Sequence, residues 1–164
     1  MSGCIFMVDK EKEGFEFPKY TMKVEKAKII EFALAVSLRQ KKEDINPIYY
    51  DEEAAKKAGY KGIPVPPTFM TSFFFWTGGG LAEIVSVLGM DISKVLHSEE
   101  EYEYLGQIYA GDIITREMKV TQIYQRGKKQ RAGMFVNVVV LETIVTNQQG
   151  ETVGKVRSLM MERQ

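Results

Sequence analysis

Cysteine and histidine are almost absent, with one of each in 164 residues. A lone cysteine excludes an intramolecular disulfide and any cysteine-cluster metal site. A lone histidine excludes multi-histidine metal centres and a histidine-rich pH switch. Charge of one sign is missing too. The 22 Lys and Arg offset 22 Asp and Glu, so there is no basic excess or stripe of the kind that nucleic-acid binding needs. No apolar run reaches the length of a membrane span. The longest block, Phe69 to Trp76, is interrupted by Thr71 and Ser72. The residues before Val8 do not read as a secretory leader, because Asp9, Lys10 and Glu11 follow at once. The expectation is a soluble, cytoplasmic protein with no nucleic-acid or membrane partner. It would be one domain over 1–164, with a flexible segment over about 1–15 that holds Cys4 as a free, reduced thiol.

What is present is enough for one sizeable core, at 45% hydrophobic residues. There is no repeat and no linker, but the two halves differ in texture. Ile29, Phe32, Ala33 and Val36 follow the i, i+3, i+4, i+7 rule, which predicts an amphipathic helix from Glu25 to Leu38. Lys41 to Asp44 is a polar loop. Asp51 to Ala58 predicts a short helix ended by Gly59. Ile63 to Pro67 holds three prolines in five residues and must be extended. A helix apolar nearly all round is predicted from Thr68 to Thr77, stopped by Gly78, Gly79 and Gly80, with another short helix over Leu81 to Leu88.

The second half reads as strands. Ile114, Arg116, Met118 and Val120 alternate with Thr115, Glu117, Lys119 and Thr121. Met134 to Thr146 is apolar at both parities, as in a central strand covered on both faces. Val95 to Leu105 and Val153 to Met161 complete the set, with turns at Gln125–Arg131 and Asn147–Gly150. Helices followed by hairpin strands argue an α+β fold with an antiparallel sheet wrapped around one buried helix.

The most informative stretch is Asp44-Ile45-Asn46-Pro47-Ile48-Tyr49. It resembles the Asp-x-Asn-Pro-Leu/Ile-His signature of the R-specific enoyl hydratases and MaoC-like dehydratases, with Tyr49 in place of the final His. The likeness continues through Asp51, Ala54, Ala55 and Tyr60 to Pro64-Val65-Pro66-Pro67-Thr68, where the family carries Ile-x-His-Gly-Met. It extends over His97 to Tyr104 and Ala110-Gly111-Asp112, and spans about Tyr20 to Met161. The resemblance implies a hot-dog fold, a long central helix wrapped by an antiparallel sheet and paired into a dimer.

In that family, an Asp and a His hold the water that adds to C3 of a 2-enoyl thioester. A backbone N–H at the start of the long helix polarises the thioester carbonyl. That N–H belongs to the Gly 18 residues after the His, and 18 residues after Tyr49 is Pro67, which has no N–H. The resemblance therefore implies that no catalytic set is intact. Asp44 and Asn46 are kept, Tyr49 replaces the base, and Pro67 stands at the oxyanion position. This pattern is similar to the catalytically silent half of two-subunit or fused (3R)-hydroxyacyl dehydratases. The acyl groove then falls to Tyr49, Pro66, Thr68, Phe69, Ser72 and Phe73. No metal or redox cofactor is implied, and the acyl thioester would ride on coenzyme A or acyl carrier protein. The implied partner is a second copy, or a hot-dog subunit bearing the intact motif. The alternatives are a homodimeric acyl-thioester-binding or regulatory module, and a hot-dog thioesterase using Asp44 or a Glu.

The remaining features have plainer readings. Asn46 and Asp44 on their own cap a turn before Pro47. His97, near a strand start, is expected to be a structural or interface residue. Phe69, Phe73, Phe74, Phe75 and Trp76 suit an enclosed helix, and helical spacing puts Phe69, Ser72, Phe73 and Trp76 on one side. Gln125–Arg131 reads as a solvated hairpin tip. Glu99 to Glu103 reads as one solvated strand face, with Tyr102 and Tyr104 turned inward. Gly78–Gly80 lacks the Lys and the preceding strand of a phosphate-binding loop.

Overall fold

Strand β4 (Val136–Thr146) carries the most apolar stretch of the chain's second half, and the sheet extends outward from it. Val138, Val139, Val140 and Leu141 are each at most 2% exposed. Successive strand residues point to opposite faces, so β4 is covered on both sides, as its unbroken apolar run predicts. The computed structural model describes residues 8–38, 41–76, 80–127 and 135–163. Next to β4 lie β3 (Ile113–Arg126) and β5 (Thr152–Arg163). Outside them are β1 (Tyr20–Lys23) and β2 (Val95–Tyr104). The order is β1-β3-β4-β5-β2, and every pair is antiparallel.

The alternation in β3 fades at Thr121 for a structural reason. The strand runs on to Arg126, but its register shifts between Val120 and Gln122. A bulge of this kind interrupts the period of two. Strand β1 has only four residues and no sequence signal of its own. The basic turn falls largely on residues outside the described ones, as does Cys4.

Helix α1 (Lys26–Ala35) buries Ile29 and Ala33 against the sheet. It stops three residues short of the expected end, so Val36 and Leu38 leave the apolar stripe and are 63% and 94% exposed. Helix α2 (Glu52–Lys57) is capped by Asp51, whose Oδ1 accepts from the N–H of Glu53 and of Ala54. Gly59, at φ +93°, turns the chain out of it.

The long central helix expected from Thr68 is not one continuous α-helix. Residues 63–65 are extended and tied to Ile108–Ala110 by backbone hydrogen bonds, as the prolines require. Thr68 is then left-handed, Phe69–Ser72 form a 3-10 turn, and α3 is confined to Phe73–Trp76. Helix α4 (Gly80–Leu88) follows, and Phe69–Phe75 and Gly80–Leu88 are set at 70° to each other. Gly80 opens α4 rather than ending its predecessor; Gly78 and Gly79 lie outside the described residues. Among the described residues no single helix is long and apolar enough to cross a membrane.

Two apolar clusters fill the space between helices and sheet. Helix α4 sets Ile84, Val85 and Leu88 on Met118, Val120, Val139, Leu141 and Met160. Phe69, Met70 and Phe73 pack with Ile29 of α1 and with Ile114, Val145 and Val156 of the sheet. Phe69 meets Phe32 and Phe73 edge-on, at centroid distances of 5.2 and 5.7 Å. Each such buried ring stabilises the fold by about 1.5–3 kcal/mol.

Glu162 is the one carboxylate in the buried set, at 2% exposure. Its Oε2 accepts from Asn137 Nδ2 at 3.1 Å, and its Oε1 accepts from the Asp91 N–H at 2.6 Å. Gln125 completes the chain by donating to Asn137 Oδ1. The carboxylate thus ties the turn after α4 to the sheet. Replacing it takes an acceptor from the buried Asn137 amide and from the part-buried Asp91 N–H. Glu162→Ala should destabilise the protein by about 1–3 kcal/mol, read as a lower urea midpoint. A change within error would show that the network carries no net stability.

Candidate functional site

The motif loop folds as two successive 3-10 turns, Lys42–Asp44 and Pro47–Tyr49. Asn46 caps the second, its Oδ1 accepting from the Ile48 N–H at 3.2 Å, with Pro47 at the first helical position. Asp44 is half-buried in the first turn, while Asn46 is exposed. Tyr49 is half-buried and packs against the cluster that holds Phe69 and Phe73. Burial pushes its phenol above the ordinary tyrosine value, and neighbouring Tyr60 adds to the rise.

The chain enters the helical layer directly beside this tyrosine. Pro66 and Pro67 have no N–H. The Thr68 N–H donates to Tyr104 Oη at 3.0 Å, and the Phe69 N–H donates to the Pro66 carbonyl at 3.1 Å. From 66 to 69, then, every backbone donor is missing or already engaged. Burial raises the Tyr104 pKa, the Thr68 N–H opposes that rise, and the charge that Tyr49 would carry adds to it. Tyr49, Tyr104 and Thr68 are therefore neighbours. Thr68 itself has φ +67°, the one non-glycine residue in the left-handed region among those described. For a β-branched residue this is a strained conformation.

Behind this turn lies a cavity of about 240 Å³ between the helical layer and the inner face of the sheet. Met70, Thr71, Phe73, Phe74 and Phe75 line it from one side, and Met118, Leu141, Val145 and Met160 from the other. Of the six residues assigned to the acyl groove, Phe73 is on this wall. Phe69 and Ser72 are buried elsewhere in the packing, with Ser72 Oγ donating to the Phe69 carbonyl. Tyr49, Pro66 and Thr68 belong to the entrance turn.

Ionisable groups reach the cavity from two strands. On β2, Glu100 points inward because it shares the parity of Tyr102 and Tyr104, so the glutamate run is not one solvated face. Glu100 Oε2 accepts from Ser158 Oγ and meets His97 Nε2 at 2.7 Å. Tyr102 stacks on Tyr104, and burial drives its phenol up to about 12 despite a hydrogen bond with Thr71. His97 is seven residues from Tyr104 along β2, roughly 20 Å at strand rise, so it does not serve the motif loop. From β3, Arg116 enters the cavity wall. In the sequence Arg116 is one member of an alternating strand. The signal that sets it apart is a charge at a position whose alternation partners, Ile114, Met118 and Val120, are all apolar.

A family profile described as "FAS1-like, dehydratase domain region" matches residues 12–156. A UPF0336 protein of Thermobifida fusca is 34% identical over 140 residues, 85% of this chain and 82% of its own length. Among solved structures, the truncated HadBC (3R-hydroxyacyl-ACP dehydratase) complex of Mycobacterium tuberculosis superposes with TM-score 0.71 at 22% identity, covering 92% of this chain and 96% of that one. A MaoC-like dehydratase superposes with TM-score 0.73 at 20% identity over 94% of this chain, but only 43% of its own. The shared architecture is the hot-dog fold.

Two outcomes follow from the tyrosines and the strained turn. Thr68→Gly removes the left-handed strain, which outweighs glycine's added freedom in the unfolded chain. It should stabilise the protein by about 1 kcal/mol, read in urea unfolding; destabilisation would mean that the threonine side chain holds the turn. Tyr102 has a folded pKa of about 12 against an unfolded value of about 10. Its contribution to stability is complete below pH of about 10 and is lost as pH rises from there towards about 12. Phenolate absorbance should show a late-titrating tyrosine that Tyr102→Phe removes.

Proposed function

This chain belongs to the family of FAS1-like dehydratase domain regions, and on that premise we propose that it is the acyl-binding, non-catalytic subunit of a MaoC-like (3R)-hydroxyacyl-thioester dehydratase or enoyl hydratase. A partner hot dog with an intact Asp-x-Asn-Pro-x-His loop would carry out the chemistry, on a thioester of coenzyme A or acyl carrier protein. The observation that carries the reading is the donor census at the entrance turn. Pro66 and Pro67 offer no N–H, and those of Thr68 and Phe69 are engaged at 3.0 and 3.1 Å. An enolate forming there would find no free backbone donor to stabilise it.

The acid–base side of the site agrees. A general base works best with a pKa near the operating pH. Tyr49 starts far above that, and its surroundings push it further up. The relatives support a paired assembly. HadBC is itself a complex, and the MaoC-like dehydratase leaves more than half of its length beyond the match with this chain. Pairing would also cover β2, which bonds only to β5 and exposes Leu96 and Tyr104.

The experiment is hydration of crotonyl-CoA and longer enoyl-CoAs by this chain alone and with a motif-bearing hot-dog subunit of the same genome. The chain alone should show no turnover. Lost acid–base catalysis is worth about 100- to 10,000-fold and a lost oxyanion donor about 100- to 1,000-fold, without simple multiplication. Tyr49→His should recover little, and Tyr49→His with Pro67→Gly more than either change alone. Turnover by the unmodified chain alone would overturn the reading. Failure to raise the partner's activity, with acyl-CoA binding retained, would favour a stand-alone binding module.

A further inference from the structure

The cavity is mostly apolar, with Thr71, Thr143 and Ser158 among its lining, and the charge on β3 has no ion pair among the described residues. Arg116 is 4% exposed and lines the cavity. Its Nε is fully buried without a hydrogen-bond partner. The guanidinium lies over the Tyr20 ring at 5.4 Å and over the Phe74 ring at 5.6 Å. Two aromatic faces hold a cation in place and leave its in-plane donors unused. Glu83 is the nearest carboxylate to act on it, but it is not within ion-pair distance. Its oxygens instead accept from the Tyr20 hydroxyl at 3.1 and 3.2 Å. Burial lowers the Arg116 pKa, yet a guanidinium stays protonated in proteins. A buried guanidinium without an ion pair is costly, and an arriving carboxylate would pair with it in two-pronged geometry.

We propose that this cavity receives an apolar chain ending in a carboxylate, and that Arg116 is the residue that selects for that end. The volume sets how much of the chain is enclosed. At about 30 Å³ for a water-sized group, 240 Å³ holds roughly eight heavy atoms, most of the ten in octanoate, and the rest would pass the exposed Phe75 at its rim. Met118, Leu141, Val145 and Phe73 supply walls for the methylenes. Glu100, on the opposite side of the cavity, would repel a carboxylate, so the charge difference between the two sides orients the chain. The carboxylate could be that of a free fatty acid or the far end of a dicarboxylic acyl thioester. The thioester source rests on the acyl-subunit reading above, whereas recognition of the carboxylate rests on Arg116 alone.

The test is calorimetric binding to the full chain, with no partner and no turnover. Octanoate should bind about 10- to 100-fold more tightly than 1-octanol, the worth of a hydrogen bond to a charged group. Arg116→Met should abolish that preference and leave octanol binding within about threefold. Arg116→Lys keeps the charge but loses the fork, and should retain only part of it. The wild-type comparison of octanoate with octanol needs no variant, so the proposal stays exposed if Arg116→Met fails to fold. Octanedioyl-CoA binding more tightly than octanoyl-CoA would identify the thioester source; octanoate binding without that preference would identify the free acid. Equal affinity for octanoate and octanol, or no binding of either, would overturn the proposal. A chain that binds octanoate but never assists a hydratase would keep this inference and lose the acyl-subunit reading.

Discussion

Proline cannot donate a backbone hydrogen bond, and residues 66 and 67 are both proline where the chain turns into its helical layer. The consequences reach the whole site. The chain is held extended up to Val65 by Ile108 and Ala110. It leaves the prolines through a left-handed Thr68 and tightens into a 3-10 turn before α3 begins. The first free N–H after the prolines is claimed by Tyr104 from the edge strand. One local constraint thereby breaks the central helix, strains a threonine and leaves no free backbone donor from 66 to 69.

Two buried charges show opposite solutions to one problem. Glu162 sits in a closed network in which Asn137 and the Asp91 N–H supply donors, so its burial ties two elements together. Arg116 lies over two aromatic rings and is not ion-paired with Glu83, and its Nε has no acceptor. The first arrangement is complete within the chain. The second leaves one donor unpaired in the wall of the cavity.

The edge strand joins these features. Tyr104 reaches the entrance turn, Tyr102 bonds to Thr71 on the helical layer, and Glu100 faces the cavity beside Ser158. All three lie on one parity of β2. The other parity sends Glu101 and Glu103 outward, opposite Arg157 and Lys155. A strand whose last six residues are all Glu or Tyr thus has one solvated face and one face that lines the cavity and the turn beside it.

Much of this was legible in the residues. The apolar run of β4, the alternation of β3, the short helix after Asp51, the cap of Asn46 and the three prolines act through bonds and contacts a few residues apart. Such effects do not depend on what the rest of the chain does, so the motif loop and the missing donor at Pro67 could be read directly. Local pattern failed where the deciding partner was distant. Tyr104 lies 36 residues from the N–H it accepts. Glu100 lies 58 residues from Ser158. Arg116 is one charge in an alternating strand until Tyr20 and Phe74 are folded onto it. Short-range backbone sterics and periodicity determined most of the elements and the departures of the motif loop. Only the packing of layers, which brings remote side chains to one cavity, decided which buried polar groups are paired and which is left without a hydrogen bond.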